Sequence, residues 1–389
     1  MDTLAETGLD RAKNLIDAFL DRSGITGAVT WRDRRYLWTD AFGAQACFGL
    51  ARCLDAPIYR QHALALIEAV HVHLGRHRCD DPQGREGWIS GLPEKEGVHH
   101  PTLGGLRIGK PRPERPPGGT ADERLEWERD GQYFHYLTRW MQTLLRAGRE
   151  TGDHRFVRWA AELAQASSAF VSEARGRPRM YWKMSIDLSR PLVSGMGAHD
   201  PLEGLICVDE IRRRAPNPSP SLPSLQSRFA ALCEGRSWAT PDALGIGGLF
   251  LALSHLSLLA AEGEPEPKPL RTEDILLDAI RSLDIARGNH RPEGSAGERI
   301  AFRECGLSLG LRVFDACVRF DRPDPFEPDL LKANAAFAEE IETFWADPEN
   351  HASPGWMAHG DINAVMLAAS LVAAHDPWAF TLRGPAENG

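Results

Sequence analysis

Six stretches of this 389-residue chain run from a loop through an acidic residue into a helix rich in Ala, Gly, Leu and Cys. The clearest is Gly195-Met196-Gly197-Ala198-His199-Asp200-Pro201-Leu202-Glu203-Gly204. The others begin Thr39-Asp40-Ala41-Phe42-Gly43, Asp130-Gly131-Gln132-Tyr133, Thr240-Pro241-Asp242-Ala243-Leu244-Gly245, Phe302-Arg303-Glu304-Cys305-Gly306 and His359-Gly360-Asp361-Ile362-Asn363-Ala364. A helix that is apolar on every side has to be enclosed on every side. Several of them in one chain must pack on one another, and that requirement limits what the chain can fold into.

Between these starts lie amphipathic segments suited to an outer layer. In chain order, Leu9 to Asp21 reads as outer, Trp38 to Leu54 as inner, and Ile58 to Leu74 as outer. Cys79 to Glu126 is a loop of unusual length, and loops this long in a compact domain carry function or lack order. Trp127 to Arg149 reads as inner, Asp153 to Ala174 as outer, and Arg179 to Leu188 as a short strand or hairpin. Ala198 to Arg214 (inner), Leu225 to Glu234 (outer), Pro241 to Ala261 (inner) and Thr272 to Arg287 (outer) follow. Ala301 to Phe320, Pro328 to Trp345 and Gly360 to His375 complete the alternation, and Gly384 to Gly389 read as a frayed tail. The alternation of outer and inner helices repeats with a period of very roughly 60 residues. No polar caps of the kind an open solenoid needs are evident in the sequence, so a closed ring forming one domain over 1–389 is expected.

With 25% charged and 42% hydrophobic residues the chain has ample material for a core. Its formal net charge of −9 argues against nucleic acid or an anionic membrane as partner. The cysteines lack C-x-x-C spacing, and Cys47, Cys207, Cys305 and Cys317 fall in apolar helices, which suits a reducing compartment. The start Met1-Asp2-Thr3-Leu4-Ala5-Glu6 has no secretory pattern, so a cytoplasmic location is expected. Ala243 to Ala261 is long and apolar enough to raise the question of a membrane span. Its Ser254, His255 and Ser257, and its shorter counterparts elsewhere, favour a buried core helix.

The alternation and the acidic, Gly-rich inner-helix starts resemble the six-hairpin glycosidase superfamily, from about Leu9 to His375. The resemblance implies an all-α fold, an α/α toroid of six helical hairpins with twelve helices in inner and outer rings. It also implies carbohydrate chemistry: superfamily members include glycoside hydrolases, unsaturated-uronyl hydrolases, polysaccharide lyases and sugar epimerases.

The loops that enter inner helices are long and those that leave them mostly short, so a pocket is expected at the N-terminal ends of the inner helices. Asp40, Asp130, Asp200, Glu203, Asp242, Glu304 and Asp361 would ring it. Glycoside hydrolysis needs one protonated and one ionised carboxyl group, and a crowded ring of acids can supply both. Asp130 and Asp200 are the expected catalytic pair. Asp130 has no capping-box partner, whereas Asp200-Pro201-Leu202-Glu203 also has the form of a helix cap.

Trp88, His100, Tyr133, His199 and His359 join the remaining acids as expected substrate contacts. Trp38, Trp127, Tyr181, Trp182 and Trp356 supply further aromatic faces of the kind that stack on sugars. His135, His199 and His359 near helix starts leave open a sugar isomerase or epimerase with histidine bases, and a non-catalytic sugar-binding or scaffold protein is the third reading. No H-E-x-x-H occurs and His71-Val72-His73 has the wrong spacing for one helix face, so neither a metal nor a cofactor is expected. The expected ligand is a small carbohydrate or oligosaccharide.

Overall fold

The computed structural model describes residues 7–27, 35–174, 176–216, 219–290, 294–321 and 328–384. Most of the tail expected at the C-terminus, residues 385–389, lies outside them.

The chain begins with α1 (Gly8–Arg22), α2 (Leu37–Cys53) and α3 (Pro57–Leu74), followed in the long loop by the short helices α4 (Glu94–Gly97) and α5 (Glu123–Glu128). Strand β1 (Gln132–Tyr133) leads into α6 (Phe134–Thr151) and α7 (His154–Ser167). Four short strands come next: β2 (Val171–Ala174), β3 (Arg177–Met180), β4 (Lys183–Met184) and β5 (Pro191–Val193). The remaining helices are α8 (Asp200–Arg214), α9 (Ser221–Cys233), α10 (Ala243–Ala261), α11 (Thr272–Asn289), α12 (Ala301–Asp321), α13 (Pro328–Ala346), α14 (Pro354–Ala358) and α15 (Gly360–Ala373).

Helices α2, α6, α8, α10, α12 and α15 pack side by side in that order, and α15 returns to α2 to close the ring. Helices α1, α3, α7, α9, α11 and α13 surround them, α1 sealing the seam against α15. Apolar texture and position agree: Leu37 to Leu50 of α2 are all buried, as are Asn363 to Ala373 of α15. Helix α10, the one long enough to span a membrane, is an inner helix whose Ile246, Leu249, Leu253, Leu256 and Leu259 are sealed in the core. It lies very close to α12, because a side chain at Gly247 would overlap the carbonyl oxygen of Gly306.

Two helix boundaries differ from expectation. The second inner helix begins at Phe134 rather than Trp127. The chain between them must bend at Gly131 (φ 150°), where a side chain would meet the Met184 carbonyl, and Gln132 and Tyr133 pair with Met184 and Lys183 in a strand. The third outer helix stops at Ser167, and after a 3-10 turn over Ser168–Phe170 the residues Val171–Ala174 form half of the β2–β3 hairpin.

The C-terminal side of the ring is plugged. Residues 377–383 lie across the ends of the inner helices, where Arg149 Nη2 donates to the Trp378 carbonyl (2.7 Å) and Arg383 Nε to Glu210 (2.9 Å). Arg146 reaches the same Trp378 carbonyl and Arg214 that of Leu382.

Candidate functional site

Opposite the plug lie the N-terminal ends of the inner helices. On α8, Asp200 is 4% exposed. Its Oδ2 accepts from the Gly197 amide at 3.0 Å. Burial, with the Glu203 carboxylate close by, pushes the Asp200 carboxyl up to about 8. The helix-cap reading of Asp200 does not hold: His199 is the N-cap, and the Asp200 side chain turns back to the incoming loop.

One turn further along α8, Glu203 Oε1 accepts from Arg139 Nη2 (2.5 Å) and Oε2 from Thr138 Oγ1 (2.8 Å), both from α6. Gly248 of α10 leaves this pair open towards the axis, since a methyl group there would lie 3.6 Å from both Arg139 Nη2 and Glu203 Oε1. Below them a cavity of about 20 Å³, enough for a water molecule, is lined by Arg139, Glu203, Gly248, His255 and Thr381.

His199 Nε2 lies 2.8 Å from the Trp238 carbonyl, and burial lowers the pKa of the ring. The Nε2 proton therefore goes to that carbonyl, and Nδ1 keeps a lone pair. His135 Nδ1 accepts from Trp182 Nε1 at 2.9 Å, and burial, reinforced by Arg139, pushes this ring down to about 3. Tyr133 is buried, stacked against both His135 (5.4 Å) and Trp182 (5.7 Å).

The other expected site residues have different surroundings. Asp130 is fully buried, and both its oxygens are engaged. Oδ2 accepts from Arg107 (2.6 Å) and Arg78 (3.2 Å), and Oδ1 accepts from the amides of Gly109 (3.0 Å), Lys110 (3.3 Å) and Gly131 (3.0 Å). This carboxylate ties the long loop to the start of α6 and has no oxygen left for a substrate.

Asp40 is buried beside Arg35 (3.3 Å), and burial raises it to about 6. Asp242 caps α10 through the Gly245 amide and pairs with Arg303. Glu304 faces the outer layer, bound by Arg299 and by Trp345 Nε1 (2.7 Å). Asp361 is exposed and paired with Arg22 (2.8 Å), and His359 is exposed with its ring edge-on to Phe302.

The long loop does not lie wholly over the mouth. Trp88 is buried beneath the Arg76 guanidinium (4.1 Å) and against Gly97. His100 Nδ1 is 2.6 Å from Glu162 of the outer helix α7. These two expected substrate contacts instead fasten the loop to the outer layer. The loop comes back to the inner-helix ends at Lys110 and at α5, whose Trp127 meets Trp182 edge-on at 4.6 Å.

Arg139, Thr138 and Trp238 were not anticipated as site residues. Arg139 did leave a sign, as a charged residue inside an inner helix where burial costs several kcal/mol unless a partner waits.

Among solved structures the chain is similar to the GH76A α-1,6-mannanase from Salegentibacter sp. HEL1_6, with a TM-score of 0.54 at 12% identity over 95% of this chain and 99% of that one. The two share an α/α-toroid fold. Two inactive variants of that mannanase, with two adjacent aspartates replaced, match as well. The alanine variant in complex with α-1,6-mannotetrose gives a TM-score of 0.54 at 12% identity, covering 94% of this chain and 99% of that one. The asparagine variant with α-1,6-mannotriose gives 0.52 at 11%, with the same coverage. Neither a family model nor a curated protein matches this sequence. The adjacent aspartates of the present toroid, Asp80 and Asp81, sit in the loop after α3 and are paired with Arg78 (2.6 Å) and Arg85 (2.7 Å).

Proposed function

We propose that this toroid is a carbohydrate-active enzyme that hydrolyses a glycosidic bond, with Asp200 as the acid and Glu203 as its ionised partner. The observation behind this reading is that two carboxyl groups one helical turn apart on α8 have unlike surroundings: Asp200 is buried away from any cation, which pushes it up to about 8, and Glu203 is held by the Arg139 guanidinium at 2.5 Å. Asp200 would protonate the departing glycosidic oxygen at neutral pH, while Glu203 faces the positive charge that develops on the sugar. Side chains at i and i+3 of a helix have Cβ atoms roughly 5–6 Å apart. In a retaining reaction the two carboxyl groups approach to about 5–5.5 Å and one of them attacks the sugar. Glu203 would then form the glycosyl ester and Asp200 activate the water that releases it. Asp130, with all its oxygens engaged, serves in this reading as an anchor for the loop. Fold similarity to a mannanase is the reason to screen α-1,6-linked mannosides first, and a small carbohydrate or oligosaccharide is the expected partner.

His199 favours a second reading, a sugar isomerase or epimerase, because its Nδ1 lone pair makes a base on a ring kept neutral by burial. Product analysis separates the two. Oligosaccharides incubated with wild type, Asp200→Asn and Glu203→Gln, followed by chromatography of released sugars, should show shorter fragments from wild type only. The variants should fall by about 10²-fold or more. Full activity in both variants would eliminate the carboxyl pair. Conversion of a free reducing sugar without fragments would favour the histidine reading, and binding without turnover a non-catalytic protein.

A further inference from the structure

The aromatic residues near the carboxyl pair form one connected wall. The Arg139 guanidinium lies 5.8 Å from the Trp38 ring, and Trp38 lies 5.9 Å from His135. His135 accepts from Trp182 Nε1, Trp182 stacks on Tyr133, and Trp127 meets Trp182 edge-on. The wall therefore begins at the partner of Glu203 and ends at the surface. Trp127, its last member, is 44% exposed, whereas Trp38 and Tyr133 are almost wholly covered.

The position of Trp127 is fixed: its carbonyl accepts from Lys110 Nζ, and the neighbouring Glu128 is paired with Arg112 at 2.9 Å. An exposed indole held in place, with polar groups beside it and a continuous aromatic path to a proposed reaction centre, has the make-up of a stacking platform for a sugar ring.

We infer that Trp127 is an outer saccharide subsite, which takes one pyranose ring of an oligosaccharide whose scissile bond lies at Asp200 and Glu203. This inference rests on the carbohydrate reading above and deepens it: the substrate is a chain of several sugar units rather than a disaccharide. Of the cations near Trp127, Lys110 is engaged by the Trp127 carbonyl and Arg112 by Glu128, and α5 itself carries Glu123, Glu126 and Glu128 against the one cation Arg124, so the platform suits a neutral pyranose and not a uronate or sulfated one.

The test is binding, measured on the full chain carrying Glu203→Gln so that no turnover intrudes. A glycan array of neutral and uronate-containing oligosaccharides, graded by length and including α-1,6-mannotriose and α-1,6-mannotetrose, supplies the probes, followed by calorimetry on the glycans that bind. Affinity should rise with length for neutral chains. Trp127→Ala should cut the affinity of the longest by about tenfold, the scale of one aromatic stack, and leave the shortest unchanged. Trp127→Phe should keep most of the gain, which separates loss of the platform from local unfolding of α5. An undiminished length dependence in Trp127→Ala, or a preference for uronates, overturns the subsite while leaving the carbohydrate reading intact. If no form binds any glycan, the carbohydrate reading falls and the subsite with it.

Discussion

Arg139 and Glu203 face each other across two adjacent inner helices, Nη2 to Oε1 at 2.5 Å, and Gly248 of a third helix leaves room for a methyl group beside them. Arg139 Nη1 also donates to Gln142 Oε1 at 2.9 Å, so the planar guanidinium is held at both ends. A lysine cannot reproduce that fork. Arg139→Lys should therefore lower turnover by about 10²-fold, the scale of losing one preorganised donor, with little change in the fold. Steady-state kinetics on the oligosaccharide found by screening, with circular dichroism as control, checks this. Unaltered kcat would remove Arg139 from the site.

Asp200 makes stability depend on pH in a specific direction. Its carboxyl rises from an ordinary value near 3.8 to about 8 in the folded chain. Between those values the folded state keeps a proton that the unfolded chain has released, so stability falls as pH rises, by up to about 1.4 kcal/mol per pH unit. Asp200→Asn keeps an oxygen for the Gly197 amide and removes the titration. The variant should gain on the wild type steadily from pH 5 to about pH 7.5 and level off above pH 8 in paired thermal melts. A constant difference across that range would show that Asp200 is not protonated when folded.

Asp130→Asn should act on stability first. Removing the charge leaves Arg107 and Arg78 without their shared carboxylate, and losing one partner of a buried pair costs about 3 kcal/mol or more. Urea unfolding should show this loss, and the Cys79–Glu126 loop should become the first site of proteolysis. A variant of wild-type stability that has lost only turnover would return Asp130 to the catalytic pair.

Adjacent glycines in α10 should behave in opposite ways. A methyl group at Gly247 would overlap the Gly306 carbonyl, so Gly247→Ala must push α10 and α12 apart, at a cost of roughly 1–3 kcal/mol. At Gly248 the same methyl meets Arg139 and Glu203 at an ordinary 3.6 Å. Gly248→Ala should melt at or above the wild-type temperature, because alanine favours the helix, while narrowing the axis beside Glu203. Equal melting temperatures for the two variants would contradict the close contact.

The ring was legible in the sequence because burial on all sides shows in composition: Ala243 to Ala261 and Gly360 to His375 have no polar face to offer water. The site was only partly legible. Asp200 and Glu203 could be read as acids at an inner-helix start, and so could Asp130. What separates them is the company each keeps. Arg78 and Arg107, which claim Asp130, lie 52 and 23 positions earlier in the chain, inside a loop whose path no periodicity reveals. Trp88 and His100 were misplaced for the same reason, since an aromatic in a long loop packs inward or faces a ligand according to how that loop folds back. Arg139 could have been found, since its charge interrupts the apolar run of α6.

The plug at the C-terminal side of the ring also constrains how the chain reaches its fold. Arg146 and Arg149 bind the Trp378 carbonyl across 232 and 229 positions, and Arg214 binds that of Leu382 across 168. Contacts of such sequence separation form late, because the loop they close must first lose its freedom. As the chain emerges from a ribosome, each hairpin can form locally. Yet α2 stays without its neighbour α15, and the lower ends of α6 and α8 stay open, until the residues after Asp376 have been made. For most of its synthesis the nascent chain therefore presents the bare apolar flanks of an unfinished ring, which are natural binding surfaces for a chaperone.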